Sequence, residues 1–94
     1  MDGEPLGNGK VKEIILRCLD EGGVVFFTEH ARQEMANDSI SEAEALGVLR
    51  SGVVDGNDLI DFTWRYRVRR TKTYVVVAFD SETMTIVVTA WRKS

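Results

Sequence analysis

The chain has 94 residues, of which 44% are hydrophobic and 29% charged. We expect one globular domain and no multidomain enzyme, because the length and composition are those of a single soluble domain. The formal net charge is −3, yet residues 1–62 carry 13 acidic and 5 basic side chains, whereas residues 63–94 carry 2 and 7. The C-terminal third is therefore a candidate anion-binding region, since local patches rather than net charge set the field at a surface.

The first nine residues are acidic and rich in glycine, and we expect them to form a flexible tail before a domain over residues 10–94. They have neither the basic start nor the apolar run of a signal peptide. The apolar runs are much shorter than the ~18 residues that cross a bilayer, so we expect a cytoplasmic protein without membrane contact. The single cysteine, Cys18, forms no intramolecular disulfide and is predicted to be a buried hydrophobe rather than a reactive thiol.

Helical periodicity marks the N-terminal half. A first helix is predicted from about Lys10 to Glu21, with Asn8 as its cap and Gly22 after its end. Its apolar stripe consists of Val11, Ile14, Ile15, Cys18 and Leu19. The β-branched and aromatic run Val24–Phe27 then predicts a short strand.

Two shorter helices follow. Thr28 is the predicted cap of a helix from Glu29 to about Asn37. Ser41 and Glu44 have the spacing of a capping box, which predicts a third helix that runs to about Arg50.

From Val53 onward the apolar period changes to two. Residues 55–58 (Asp-Gly-Asn-Asp) predict a solvated turn that breaks the strand character of residues 53–60. Three strands are then predicted over residues 63–70, 73–80 and 84–91, and their short connections favour an antiparallel meander. The expected class is α+β, with N-terminal helices on one face of a curled sheet that comprises this three-stranded meander and the short N-terminal strand.

The strand over residues 63–70 is the strongest candidate for a binding surface. Arg65, Arg67 and Arg69 alternate with Trp64, Tyr66 and Val68, so the three arginines share one face. Their spacing of about 6.6–7 Å along the strand fits successive nucleic-acid phosphates. Two interpretations remain open, an anion-binding surface and a solvated outer face that discourages aggregation.

His30 is the only histidine, and histidine is the side chain that ordinarily transfers protons near neutral pH. It lies in the first turn of the predicted second helix, where Glu34 at i+4 could orient its ring. A structural role for His30 is an equally open alternative. No metal site or other cofactor is predicted, because the sequence lacks His-x-x-x-His, paired cysteines, a calcium loop and phosphate-binding motifs.

Four segments carry a resemblance to a known family. They are residues 27–35 with the pattern His-Ala-x-x-x-Met, Ile40-Ser41 at the start of a helix, Tyr66-Arg67-Val68, and residues 87–91. Together they resemble a small bacterial and phage domain family of unknown function that is grouped with the RelE/ParE and BrnT-type toxins. The similarity covers about residues 25–91. One difference is that the family commonly has Arg-Gly where this chain has Asp38-Ser39.

The resemblance implies a RelE-like fold and a type II toxin that cleaves mRNA without a metal and is silenced by an antitoxin protein. Metal-free cleavage of RNA needs a base, an acid and groups that stabilise the phosphorane. Matching positions make His30, Arg32 and Arg67 the candidate site residues. We assign proton transfer to His30 and phosphate stabilisation to Arg65, Arg67 and Arg69 with support from Arg32, and the predicted catalytic residues are His30 and Arg67. The predicted substrate-binding residues are Arg32, Arg65, Arg69, Tyr66, Lys72 and Arg92. Tyr66 would stack on a base, with Trp91 as an alternative and a place in the core as another.

A second interpretation belongs to a different class of protein. It is a non-catalytic binding module of the same fold, whose basic strand holds a protein or an anionic partner. Under the toxin interpretation, the expected partners are an antitoxin protein and mRNA or the ribosome. A homodimer is left open. A weaker third interpretation is a ParE-like toxin that acts on a protein target.

Overall fold

The computed structural model describes all 94 residues and contains three helices and five strands. The elements are α1 (Asn8–Asp20), β1 (Val24–Phe27), α2 (Glu29–Asn37), α3 (Glu42–Ser51), β2 (Val53–Ile60), β3 (Thr63–Arg70), β4 (Thr73–Ser81) and β5 (Met84–Arg92). The helices that were predicted from periodicity are present, and so are the three C-terminal strands. The longest helix has 13 residues, and none has the length and apolar character needed to cross a membrane.

The strands form one mixed sheet in the order β1-β5-β4-β3-β2. Strands β2 to β5 are consecutive antiparallel neighbours, whereas β1 runs parallel to β5 and pairs with only its first four residues, 84–87. The chain then turns into α2, which packs along β5. Both the amide and the hydroxyl of Thr28 donate to carbonyls of β5, those of Val87 and Val88. The class is therefore α+β, with helices packed against an unclosed five-stranded sheet.

The meander has four strands rather than the predicted three. The Asp-Gly of residues 55–56 is not a turn, because β2 is continuous from Val53 to Ile60 and has a bulge at Asp55. The connection to β3 lies instead at Asp61 and Phe62, whose φ angles are 51° and 64°. Two successive residues with positive φ produce the tight twist of a two-residue hairpin. The Asp-Gly signal was misleading because Gly56 leaves space for the side chain of Arg67 and does not turn the chain.

Capping accounts for most of the helix starts. The Thr28 side chain accepts a hydrogen bond from the backbone amide of Ala31, as predicted. The Ser41 side chain likewise accepts one from the backbone amide of Glu44. The second hydrogen bond of a capping box, from the backbone amide of Ser41 to the Glu44 carboxylate, does not form. The Glu44 carboxylate binds Arg92 instead, so this part of the prediction is wrong. The Asn8 cap is also wrong. Gly7 is the N-cap of α1, and the side-chain amide of Asn8 donates a hydrogen bond to the backbone carbonyl of Val54 at 3.2 Å.

The core lies between the helices and one face of the sheet. Alternation along β3 and β4 directs one set of side chains to this face, among them Tyr66, Val68, Val75 and Val77, which are fully buried. The helices contribute Val11, Ile14, Ile15, Cys18, Ala31, Met35, Ala45, Val48 and Leu49 to the same cluster. Cys18 is a buried free thiol within it.

Candidate nucleic-acid interface

The face of the sheet opposite the helices carries the arginines of β3, and we call it the open face. The register places Arg67 opposite Val76, and Arg69 opposite Tyr74. On β5, Thr89 pairs with Val76 and Trp91 with Tyr74. The residues of the open face on the four antiparallel strands include Asp58, Ile60, Arg65, Arg67, Arg69, Tyr74, Val76, Thr89 and Trp91. None of them belongs to the core cluster.

Two of the three arginines are held by one carboxylate. Asp55 accepts from Nε of Arg67 at 2.7 Å and from Nε of Arg69 at 3.1 Å, and its carbonyl accepts from Nη2 of Arg67 at 3.1 Å. Burial alone would raise the pKa of the Asp55 carboxyl, but the two guanidinium groups outweigh it and hold that pKa below its usual value. The expectation that residues 55–58 are only a solvated connection is therefore wrong, because the bulge turns Asp55 toward the arginines.

Gly56 makes room for this arrangement. A Cβ at Gly56 would lie 2.9 Å from Nη2 of Arg67, which faces it in the register. A larger residue would displace the guanidinium from Asp55. Glycine in the middle of β2 thus leaves space for the Arg67 guanidinium to lie close to the backbone.

Arg65 differs from the other two arginines. Its guanidinium makes no hydrogen bond or ion pair, and its Nε is buried without a partner. It lines a hollow of about 210 Å³ on the open face. The hollow is bounded by Asp58, Ile60, Arg65, Arg67, Val76, Thr89 and Trp91. Asp58 faces Arg65 across β2 and β3 in the register, yet it forms no ion pair with it.

An aromatic pair stands beside this hollow. The rings of Tyr74 and Trp91 stack with their centroids 5.1 Å apart and their planes 9° from parallel. They come from facing positions of β4 and β5, where cross-strand side chains meet. The stacking fixes the indole next to an arginine with free donors, an arrangement that suits a planar anionic ligand.

The predicted proton-transfer residue lies on α2. His30 is 65% exposed and its Nε2 is 3.9 Å from Oε1 of Glu34, the i+4 contact that its spacing suggested. Arg32, two residues later on the same helix, forms an ion pair with Glu42, and its Cζ lies 5.8 Å from the ring centroid of Phe27. No hydrogen bond or ion pair connects either residue to the arginines of β3.

Lys72 and Arg92 lie at another end of the sheet, together with Arg70 and Glu44, around a shallow hollow of about 260 Å³. Arg92 binds both carboxylate oxygens of Glu44, at 2.7 and 3.0 Å, and this contact raises the pKa of its guanidinium. Its backbone amide donates to Asp38. Arg92 thus connects β5 to α3 and to the loop before it, and it does not share the open face with Arg65.

Tyr66 belongs to the core, which was one of the alternatives that its position left open. Its ring is fully buried, so it has no face to offer to a base. Its hydroxyl donates to Glu4 at 2.7 Å and accepts the amide of Leu6 at 3.0 Å. Burial raises the pKa of Tyr66 to about 12.

The structure therefore divides the predicted site residues among four places: the open face, α2, the far end of the sheet and the core. It adds Asp55, Asp58, Tyr74 and Thr89 to the open face. Tyr74 was within reach of the sequence, because a two-residue connection after Arg70 sets the register of β3 and β4. Asp55 was not, since a bulge leaves no such signal. No three His, Cys, Asp or Glu side chains are grouped as a metal site.

Comparison with known proteins adds one finding. A family model described as a domain of unknown function, DUF4258, matches residues 27–92. No curated protein and no solved structure matches the chain. The matched segment runs from the end of β1 to the end of β5 and includes the whole open face of the meander. Because the match covers more than half of the chain, the protein belongs to the DUF4258 family.

Proposed function

We propose that this protein is a toxin component with a RelE-like fold, that it binds single-stranded RNA on its open face and cleaves it without a metal, and that an antitoxin protein silences it. The order of elements supports the RelE-like assignment, since helices precede an antiparallel meander and leave one sheet face uncovered. Single-stranded RNA is commonly held by exposed sheets that combine cations with aromatic rings.

The observation that carries the proposal is the state of Arg65. Its guanidinium has no protein partner although its Nε is removed from water. A buried donor without an acceptor costs free energy. The Nη groups of Arg65 have no protein acceptor either, so they are the atoms that can bind an anionic ligand. A phosphate provides several acceptor oxygens, and arginine binds it with two parallel hydrogen bonds. Trp91 lines the same hollow and supplies an aromatic surface for a base.

Arg67 and Arg69 contribute through an exchange of partners. Both are held by Asp55 and are 41% and 39% exposed, so their outer nitrogens remain accessible to a ligand. A phosphate that approaches them competes with the carboxylate. RNA binding therefore depends mainly on Arg65, and the two other arginines add to it as they turn from Asp55.

Cleavage would require His30 of α2 and Arg67 of the open face, which do not contact each other, to act on the same phosphodiester. An exposed imidazole is able to take the 2′-hydroxyl proton or to supply one to the leaving 5′-oxygen. Arg67 stays protonated and stabilises the charge on the phosphorane. Glu34, whose Oε1 lies 3.9 Å from Nε2 of His30, is placed to orient the imidazole ring.

A second candidate function is a non-catalytic binding module. It is favoured by the ion pairs of Asp55, which neutralise two arginines, and by the separate location of His30 on α2. In this function the open face binds RNA or a protein and no bond is broken.

The salt dependence of RNA binding tests the proposal. We expect the affinity for a short single-stranded RNA to fall with salt, with a log-log slope of roughly −0.7 for each phosphate neutralised. Arg65→Gln should make the slope shallower by about 0.7. Arg50→Gln is the matched control, because Arg50 is paired with Asp20 on the helical side. A flat salt dependence, or no binding at low salt, would contradict the proposal. Product analysis of the same mixtures separates the two candidates, because only the toxin cleaves.

A further inference from the structure

The hollow beside Trp91 contains two opposite charges that do not neutralise each other. Asp58 and Arg65 occupy facing positions of β2 and β3, where opposite charges usually pair. Here they form neither a hydrogen bond nor an ion pair, and both line the hollow. The other charged lining residue, Arg67, is engaged by Asp55. The site therefore presents one free carboxylate and one free guanidinium beside an indole.

We infer that this hollow is a guanine subsite, in which Asp58 accepts hydrogen bonds from the base and Trp91 contacts its ring, while Arg65 binds the adjoining phosphate. The inference rests on the proposed binding of RNA and names the base that the open face selects. The hollow, at about 210 Å³, is below the usual range for sites of whole drug-sized ligands and matches a single base.

The hydrogen-bonding edges of the four bases explain the choice. Guanine has two adjacent donors, N1–H and the N2 amino group, which fit the two oxygens of one carboxylate. Adenine, cytosine and uracil each present only one donor group on their pairing edge, so they leave one oxygen of Asp58 without a partner. Only an unpaired, single-stranded base exposes all of these edges.

The remaining residues of the hollow suit a flat ring. Ile60 and Val76 provide apolar contacts, and Thr89 is a further polar residue of the lining. The stack of Tyr74 on Trp91 holds the indole in place before a ligand arrives. A preformed aromatic wall lowers the entropy lost on binding.

The test uses four decaribonucleotides, ten uridines or nine uridines with a central guanosine, adenosine or cytidine. We expect the guanosine oligonucleotide to bind at least about fivefold more tightly than the other three. An oligonucleotide with central inosine, which lacks the N2 amino group, should fall between guanosine and uridine. Quenching of tryptophan fluorescence and a direct binding assay should agree.

Asp58→Asn should bring the ratio between guanosine and uridine close to one, because an amide accepts with only one atom. Asp61→Asn is the matched control. It removes the same charge three residues away, and asparagine tolerates the positive φ of 51° at this turn position. The control should keep the guanosine preference of the unmodified chain.

The outcomes separate this inference from the proposed function. Equal binding of the four oligonucleotides, a preference for another base, equal affinity for inosine and guanosine, or a guanosine preference that survives in Asp58→Asn would each overturn the guanine subsite while RNA binding stands. If no oligonucleotide binds at low salt, the proposed function fails and the subsite with it.

Discussion

The two faces of the sheet are formed by the same strands but differ in the burial and hydrogen bonding of their side chains. On the helical face, the side chains are buried and the Tyr66 hydroxyl makes two hydrogen bonds, although the buried hydroxyl of Thr85 has no partner. On the open face, Arg65 is unpaired, and Arg67 and Arg69 share a single carboxylate. The helical face is thus optimised for stability, whereas the open face retains unused hydrogen-bonding capacity that a ligand would fill. Surfaces of this second kind are typical of binding sites.

The same contrast separates the basic residues. The Arg92 guanidinium forms an ion pair with Glu44, and the Arg92 backbone amide donates a hydrogen bond to Asp38. These contacts hold β5 against α3 and the loop before it. Arg65, on the other face, has no such partner. Counting cations in the sequence therefore overestimates the charge available to a ligand.

The largest expected effect concerns where the chemistry is located. If α2 supplies proton transfer and the open face supplies binding, His30→Gln should lower RNA cleavage and growth arrest by about 10² to 10⁴-fold, while RNA affinity is retained. Gln33→Ala, an exposed change on the same helix, is the control. If His30 is structural, the variant instead melts at a lower temperature. Unchanged cleavage together with an unchanged melting temperature would remove His30 from the mechanism.

Adjacent residues of β4 test the contrast in packing. Val77→Ala should lower the free energy of unfolding by about 2 kcal/mol, because Val77 is fully buried on the helical face and its methyl groups would leave a cavity. Val76→Ala, on the open face, should cost under about 1 kcal/mol. Denaturant unfolding measures both. Equal losses would show that the open face is packed as tightly as the core.

Alkaline unfolding tests the buried hydroxyl. Burial raises the pKa of Tyr66 to about 12, from about 10 in an unfolded chain. The stability that this difference supplies is fully present below pH 10 and is lost as the pH rises toward 12. Tyr66→Phe should therefore be less stable at neutral pH and lose less stability between pH 10 and 12. Tyr74→Phe, on the open face, is the control and should follow the unmodified chain. Parallel alkaline profiles for Tyr66→Phe and the unmodified chain would contradict the assignment.

Asp55→Asn should leave Arg67 and Arg69 without a carboxylate partner, as Arg65 already is. With the carboxylate charge removed, Arg67 and Arg69 become available to phosphates, so RNA affinity should rise and the salt slope should steepen by up to about 1.4. Asp61→Asn removes one charge without touching an arginine and should leave the slope unchanged. A weaker affinity in Asp55→Asn would mean that Asp55 positions the arginines for the ligand rather than competing with it.

The smallest expected effect lies in the α2–α3 loop. Ser39 has a φ of 57°, a conformation that glycine adopts without strain. Ser39→Gly should therefore raise the free energy of unfolding by about 0.5 kcal/mol, a gain of roughly 2–4 °C in melting temperature. Calorimetry would detect it, and Ser94→Gly at the exposed C-terminus is the control. A lower melting temperature would mean that the added freedom of the unfolded chain outweighs the relieved strain.

Neighbouring residues are enough to predict most of the individual helices and strands. The apolar stripe of α1, the caps at Thr28 and Ser41, and the alternation along β3 each depend on neighbours a few residues apart. Local spacing also determined that Arg65, Arg67 and Arg69 share a face, because a strand has a fixed period of two. These predictions held because short-range geometry decides them.

Which of these residues act together depends instead on contacts between distant parts of the chain. The bulge at Asp55, the parallel pairing of β1 with β5 and the burial of Tyr66 depend on partners that lie far away in the chain. No local pattern distinguishes an Asp-Gly that turns the chain from one that bulges a strand to hold two arginines. The reason is physical: charge neutralisation and burial are set by distances between strands, and these distances exist only once the sheet has formed.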